Sequence, residues 1–217
     1  MIAVSESLGL WAVAYGVVGF LVGSYPPAIP IARAYGADVM STGDRNPGVS
    51  NVREQAGTTA SAICVFADIA IGLLVALVPY WIGGSVWDAA IASMAMIAGR
   101  AFSPWFGFMG GRAQMVLLAN AVGLVPYAGL VFLGIFTVGA ATGQLALANG
   151  VGIATLWIWT WVFYGKTWAL TYAIVVAVIS IVRRALGSPD GKPWSFWDRL
   201  VFDRERPPAL SDDGTEP

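Results

Sequence analysis

The chain has 217 residues, of which 57% are hydrophobic and 12% charged, with a formal net charge of −1 and no histidine. Its mean hydropathy of +0.69 is far from that of soluble globular domains and indicates one compact membrane domain. The lack of histidine excludes Ser-His-Asp catalysis, imidazole acid–base chemistry and histidine metal sites; the single Cys64, inside an apolar run, excludes an internal disulfide or a cysteine metal cluster.

Apolar runs occur at about 8–32, 58–80, 88–103, 114–125, 127–141, 144–164 and 167–182. The first lacks a basic n-region and continues too far for a cleaved signal, so it is read as a retained span. A full crossing takes about 20 residues, so the short third, fourth and fifth runs predict tilted, half-length or re-entrant helices. Pro126 separates the fourth from the fifth, ending one helix and starting the next. Seven segments with the N-terminus outside put Arg33, Arg45, Arg53, Arg100, Arg112, Arg183, Arg184, Lys192, Arg199, Arg204 and Arg206 on the inner side, leaving Lys166 alone outside. Merging runs four and five would strand Arg183 and Arg184 opposite the other arginines, so seven is the better count.

Most tryptophans of the spans fall near predicted span ends, as interfacial belts require. Trp157, Trp159 and Trp161 alternate within a run and are expected to pack in the core or against lipid. The membrane domain is predicted to occupy residues 1–186. Residues 187–205 form a turn-rich linker and an amphipathic interfacial helix, with Trp194, Trp197, Leu200 and Val201 on one face. Residues 206–217 read as an acidic disordered tail. No internal repeat is evident and the polar groups collect at one face, which argues against a transporter.

Two polar stretches interrupt this apolar background. Gly99–Ala113 carries Arg100 and Arg112 with a proline and several glycines. Lipid cannot satisfy irregular backbone, so this stretch must lie at the membrane surface or against protein or water. Its glycines allow main-chain N–H groups to approach a ligand, and its arginines supply positive charge. The second stretch follows the first span. Gly23-Ser24-Tyr25-Pro26-Pro27 closes that run, Asn46-Pro47-Gly48 marks a turn, and Ser50 or Asn51 is placed to cap a helix beginning near Val52. A helix N-terminus there suits a phosphate. Asp68, in the middle of the second run, must face the bundle interior and meet a donor, for which Arg100 and Arg112 are the candidates.

These residues resemble the bacterial acyl-phosphate:glycerol-3-phosphate acyltransferases, the PlsY family, over about residues 8–186. The family's Gly-Ser-Ile-Pro is matched by Gly23-Ser24-Tyr25-Pro26. Its Gly-Ser-Gly-Asn-Pro-Gly-Ala-Thr-Asn-Val is matched by Gly43-Asp44-Arg45-Asn46-Pro47-Gly48-Val49-Ser50-Asn51-Val52, and its Leu-Asp pair by Ala67-Asp68. Its glycine-rich block is similar to Gly99-Arg100…Pro104…Gly107-Phe108-Met109-Gly110-Gly111-Arg112-Ala113. The resemblance implies an all-α, seven-segment PlsY-like bundle in the bacterial inner membrane, with the C-terminus cytoplasmic. The departures fall on chemistry-bearing positions. Asp44 replaces a serine, Glu54 an arginine (with Arg53 one place early), Ile71 a lysine, Arg100 a histidine and Arg112 a lysine, while Val182-Arg183-Arg184-Ala185-Leu186 stands where a His…Asn motif belongs.

In the family, the glycerol-3-phosphate hydroxyl attacks an acyl phosphate directly, and the protein positions two anions. Carboxylates at positions 44 and 54 oppose that, so the expectation is an anionic-lipid- or phosphate-binding protein, or a subunit of a membrane complex, with impaired acyl transfer. The alternative is a working acyltransferase in which Arg112 replaces the lysine and Ser24 or Ser50 supplies a hydroxyl. Candidate catalytic residues are therefore Ser24, Asp44, Ser50 and Arg112. Candidate phosphate- or lipid-binding residues are Asn46, Gly48, Asn51, Arg53, Arg100, Gly107, Gly110, Gly111 and Arg112. Asp68 is the buried charge. No metal or cofactor is expected, and the expected partners are the bilayer and an anionic lipid or phosphate ligand rather than nucleic acid.

Overall fold

The computed structural model describes residues 11–43 and 45–186. Its helices are α1 (Ala12–Ser24), α2 (Ala28–Ala34), α3 (Val49–Trp81), α4 (Val86–Ala101), α5 (Gln114–Leu124), α6 (Pro126–Ala141), α7 (Leu145–Tyr164) and α8 (Thr167–Ala185), with a 3₁₀ turn at Pro104–Phe106. The short α2 lies between α1 and α3, so the bundle proper has the seven expected segments. The predicted linker, interfacial helix and tail lie outside the described residues.

The segment boundaries follow from local chemistry. The run expected at 8–32 is divided, because Pro26 and Pro27 cannot donate into a helix ladder and force the residue before them out of the α region. At the other end of the pattern, α4 starts with a capping box: Ser85 Oγ accepts from the Asp88 N–H, and the Asp88 carboxylate accepts from the Ser85 N–H at 2.8 Å. Pro126 occupies the first position of α6, as its missing N–H permits. The next N–H, on Tyr127, is satisfied by the Tyr164 hydroxyl at 3.1 Å.

By length and composition, four stretches among the described residues can each cross a membrane: Ala12–Ala34, Val49–Trp81, Leu145–Tyr164 and Thr167–Ala185. The others are shorter, as anticipated; the 11 residues of α5 rise only about 16 Å. At 33 residues, α3 is the longest helix, and it is interrupted at Gly57, whose φ of 89° and ψ of 176° are open to glycine alone at little cost.

Small residues set the packing. The α1 and α4 helices run parallel in close contact, with Gly19 against the Ala92 carbonyl, Gly23 against the Met96 carbonyl and Gly99 against the Phe20 carbonyl. A Cβ at any of these would collide with backbone, which is the small-residue seam that lets membrane helices gain dispersion contacts without a hydrophobic driving force. Gly72 and Gly123 perform the same role between α3 and α5, and Gly139 and Gly152 between α6 and α7.

A main core runs through α3–α8, centred on Met96, Leu117, Phe132, Leu156, Tyr172 and Val176. A second, smaller core joins α2, the following loop and the first half of α3 through Ile29, Ala32, Val39, Val52, Ala60 and the buried Cys64. Trp159 packs against the main core, whereas Trp157 and Trp161 point outward, so the alternating tryptophans divide between core and lipid. The last turns of α2 with Arg33 and of α4 with Arg100, the loops with Arg45 and Arg112, the first turns of α3 with Arg53, and the last turn of α8 with Arg183 and Arg184 share one end of the bundle. Lys166, between α7 and α8, stands at the other.

Candidate functional site

The first turn of α3 and the first turn of α5 converge on one cavity of about 260 Å³. Val49, Ser50 and Asn51 line it from α3; Ala113, Gln114 and Met115 line it from α5; the turn Asn46-Pro47-Gly48 and Gly111-Arg112 close its rim. Asp68 and Arg100 are part of its wall. An α-helix begins with N–H groups that have no acceptor in the helix, and its dipole is positive there. Two such ends aimed at one space, beside Arg112, form a strong anion-attracting geometry.

The helix start is a correction to the sequence reading. Helix α3 begins at Val49, with extended Gly48 as its N-cap and no side-chain cap, so Ser50 and Asn51 lie inside the first turn instead of capping it. With no side chain capping them, the first N–H groups of α3 have no side-chain acceptor from Gly48.

Asn51 is 1% exposed, and its amide nitrogen lies 2.9 Å from the Val39 carbonyl, 3.1 Å from that of Asn46 and 3.2 Å from that of Thr42. That amide gathers the 39–46 loop onto α3, which makes Asn51 the residue that shapes the rim. Asn46, held in this way, is itself buried, and its side-chain oxygen has no hydrogen-bond partner among the described residues.

Arg100 lies 2% exposed at the end of α4, with Nη2 3.0 Å from Asp68 Oδ1. Of the two donors considered for Asp68, Arg100 is the partner. The pair is neutral overall, which is how a carboxylate is tolerated at this depth. The Nε of Arg100 makes no hydrogen bond among the described residues.

The Gly99–Ala113 stretch turns back across the end of the bundle. Its outer tip holds Gly107 and Phe108 at φ near +60°. The Gly110 N–H then donates to the Ala101 carbonyl at 3.1 Å. A Cβ on Gly110 would strike the Arg100 carbonyl, and Gly111 faces the Asn46-Pro47 turn. From the far side, Arg183 Nε donates to the Gly110 carbonyl at 2.9 Å.

The structure therefore brings Asn46, Gly48, Ser50, Asn51, Asp68, Arg100, Gly111 and Arg112 to one cavity. Gly110 supports that wall from behind. Three other candidates stand apart. Ser24 is sealed at the end of α1, where its hydroxyl donates to the Leu21 carbonyl and accepts from Trp105 Nε1 at 2.9 Å, so it fastens the 103–105 turn and offers no hydroxyl to the cavity. Arg53 is exposed and is not part of the cavity wall, and Gly107 lies at the exposed loop tip. Asp44 lies outside the described residues. Glu54, expected to crowd the site with negative charge, is exposed and is not part of the cavity wall.

Sequence reasoning gave Arg183 no role of its own, counting it among the inner-side cations and within the segment that stands where the family's His…Asn motif belongs. The usable signal was helical spacing: Ala169, Tyr172, Ala173, Val176 and Ser180 form the buried stripe of α8, and Arg183 continues it.

A family model described as glycerol-3-phosphate acyltransferase matches residues 13–186. The chain belongs to that family. Curated relatives include the glycerol-3-phosphate acyltransferase of Geobacter sulfurreducens, 29% identical over 76% of this chain and 86% of the relative. Glycerol-3-phosphate acyltransferase 4 of Dehalococcoides mccartyi is 26% identical over 86% of this chain and 84% of its own. The Rubrobacter xylanophilus enzyme is 31% identical over 52% of this chain, a match that spans 57% of that protein's length. The fold is similar to the crystal structure of PlsY in its glycerol 3-phosphate form, with a TM-score of 0.70, 22% identity, and coverage of 80% of this chain and 88% of PlsY. The lysophosphatidic acid form gives a TM-score of 0.68 at 21% identity, covering 80% of this chain and 87% of that one. This chain is thus an integral, multi-pass membrane protein of the family with the PlsY fold.

Proposed function

We propose that the cavity binds a polyol phosphate monoester of the glycerol 3-phosphate kind, and that acyl transfer to it is impaired relative to ordinary members of the family. The observation that carries the binding half is the meeting of two helix N-termini with Arg112 at one cavity. A phosphate suits the N–H groups and the guanidinium. The apolar part of the wall, formed by Val65, Met115, Phe136 and Leu145, accommodates the alkyl part of an amphiphile. The PlsY structures in glycerol 3-phosphate and lysophosphatidic acid forms support the same ligand class.

The weakened-catalysis half rests on the Arg100–Asp68 pair. Where the family resemblance places a histidine, this chain holds a cation whose charge is already compensated. A site that works by placing two anions and stabilising developing charge loses much of its leverage when one cation is so occupied. The experiment is direct: purified protein in detergent is titrated with glycerol 3-phosphate by calorimetry, then supplied with acyl phosphate. Binding is expected, reduced at least tenfold by Arg112→Gln, as loss of a charge-assisted contact of about 1.5–3 kcal/mol requires. Little lysophosphatidic acid is expected to form.

A specific observation favours a second reading, an active acyltransferase: Glu54 stands off the cavity and removes one of the carboxylates held to oppose catalysis. Under that reading, the ligand hydroxyl attacks the acyl carbonyl, a C–O ester bond forms, the carbonyl-to-phosphate C–O bond breaks, and phosphate leaves carrying the hydroxyl proton. Turnover matching that of an ordinary family member establishes it and overturns the impaired reading. The arginine-rich end is assigned to the cytoplasm by the positive-inside rule, which places the C-terminus inside. A C-terminal reporter that is active only outside the cell tests this.

A further inference from the structure

We infer that Arg183 is a positioning residue: its guanidinium holds the Gly110 peptide so that Gly111 and Arg112 face the cavity, and this tie sets the affinity for a phosphate ester. The inference rests on the phosphate-ester reading above but concerns a residue outside the cavity wall. Arg183 is 2% exposed, and two of its nitrogens, Nε and Nη2, converge on the Gly110 carbonyl oxygen. The amide on the other side of Gly110 is bonded to the Ala101 carbonyl at 3.1 Å. A Cβ on Gly110 would meet the Arg100 carbonyl, so this backbone has no room to move toward α4. The main chain at Gly110 is thus clamped between the end of α4 and the end of α8, and the two residues that follow it form part of the cavity rim.

A charged, buried side chain is a costly way to anchor a loop if anchoring is all it does. Arg183 also lies close enough to Arg112 for the two cations to repel. An anion seated at Arg112 relieves that repulsion, so Arg183 biases the site toward a charged ligand as well as shaping it. The positioning role needs arginine: the planar fork places two donors on one oxygen, which a lysine ammonium on a flexible stem does not reproduce.

The test uses the full chain in nanodiscs of uncharged lipid, with glycerol 3-phosphate as the probe. Arg183→Lys keeps the charge and loses the fork; it is expected to weaken binding about tenfold, the loss typical of removing a residue that orients a ligand-contacting group. Arg183→Gln, losing both, is expected to weaken it further. In parallel, a Met109→Cys reporter in the same loop is labelled with maleimide, the native Cys64 being buried. Labelling is expected to be faster in the Arg183→Lys background. If wild type and Arg183→Lys bind equally well, the tie does not set affinity and the inference fails. If wild type binds no glycerol 3-phosphate, the phosphate-ester reading fails, and the labelling rates alone judge the clamp: unchanged rates overturn it, faster labelling supports it. Should neither Arg183 variant fold, Gly110→Ala displaces the same peptide from the α4 side; undiminished binding in that variant is equally fatal.

Discussion

Glycines are concentrated both along the α1–α4 seam and around the cavity, for different physical reasons. In the seam, Gly19 and Gly23 have ordinary helical backbone and are small because another helix passes directly over them. Around the cavity, the chain turns irregularly and its shape is imposed from outside by polar side chains: Asn51 on the 39–46 loop, Ser24 and Trp105 at the start of the return turn, Arg183 on Gly110. A seam fails when volume is added. A rim built of turns fails when a hydrogen-bonding side chain is taken away, even one that touches no ligand.

The two regions meet at Gly99 and Arg100, and the largest effect is expected there. Asp68→Leu leaves Arg100 buried without its counter-charge and should cost about 3–5 kcal/mol. The double variant Asp68→Leu with Arg100→Met should recover most of that loss in thermal unfolding. If the single variant is as stable as wild type, the ion pair does not hold the regions together. Next, Gly19→Leu should cost about 1–3 kcal/mol or more by overpacking. Gly134→Ala on α6, where a Cβ would meet nothing within 4 Å, should instead be neutral or up to about 1 kcal/mol stabilising. Equal effects at the two glycines would erase the distinction between seam and lipid-facing surface. Asn51→Ala should cost about 1–3 kcal/mol for the abandoned carbonyls, and it should also lower glycerol 3-phosphate binding because Asn46 loses its support. A variant that unfolds more readily but binds normally would show that the rim keeps its shape without this amide.

The bundle was legible because span length, proline and arginine placement are strong one-dimensional signals. The separation of α5 from α6 at Pro126 and the shortness of the central helices follow from them directly. So does the pairing of Asp68 with a nearby arginine, since an isolated carboxylate at that depth is too costly to leave alone. The site was legible as a region, but individual roles were not. Ser50 and Asn51 look like caps, and only the backbone at Gly48 decides that the helix has already begun. Ser24 resembles a hydroxyl donor in its motif, whereas its partner Trp105 lies 81 residues further along the chain. Arg53 and Glu54 are adjacent to cavity residues in sequence, yet both are exposed and neither forms part of the cavity wall. Long-range hydrogen bonds and the point at which a helix begins decide these roles, and neither is written in local composition.

The cations at the cavity, Arg100 and Arg112, and Arg183 behind it, are all guanidinium groups, in a chain that contains no imidazole. Guanidinium stays protonated throughout the range in which cells live. The attractive half of the site is consequently a fixed background that acidification does not switch. Between pH 5 and 8, the second ionisation of the ester itself, near pH 6 for a phosphomonoester, is therefore expected to change the grip while these cations keep their charge.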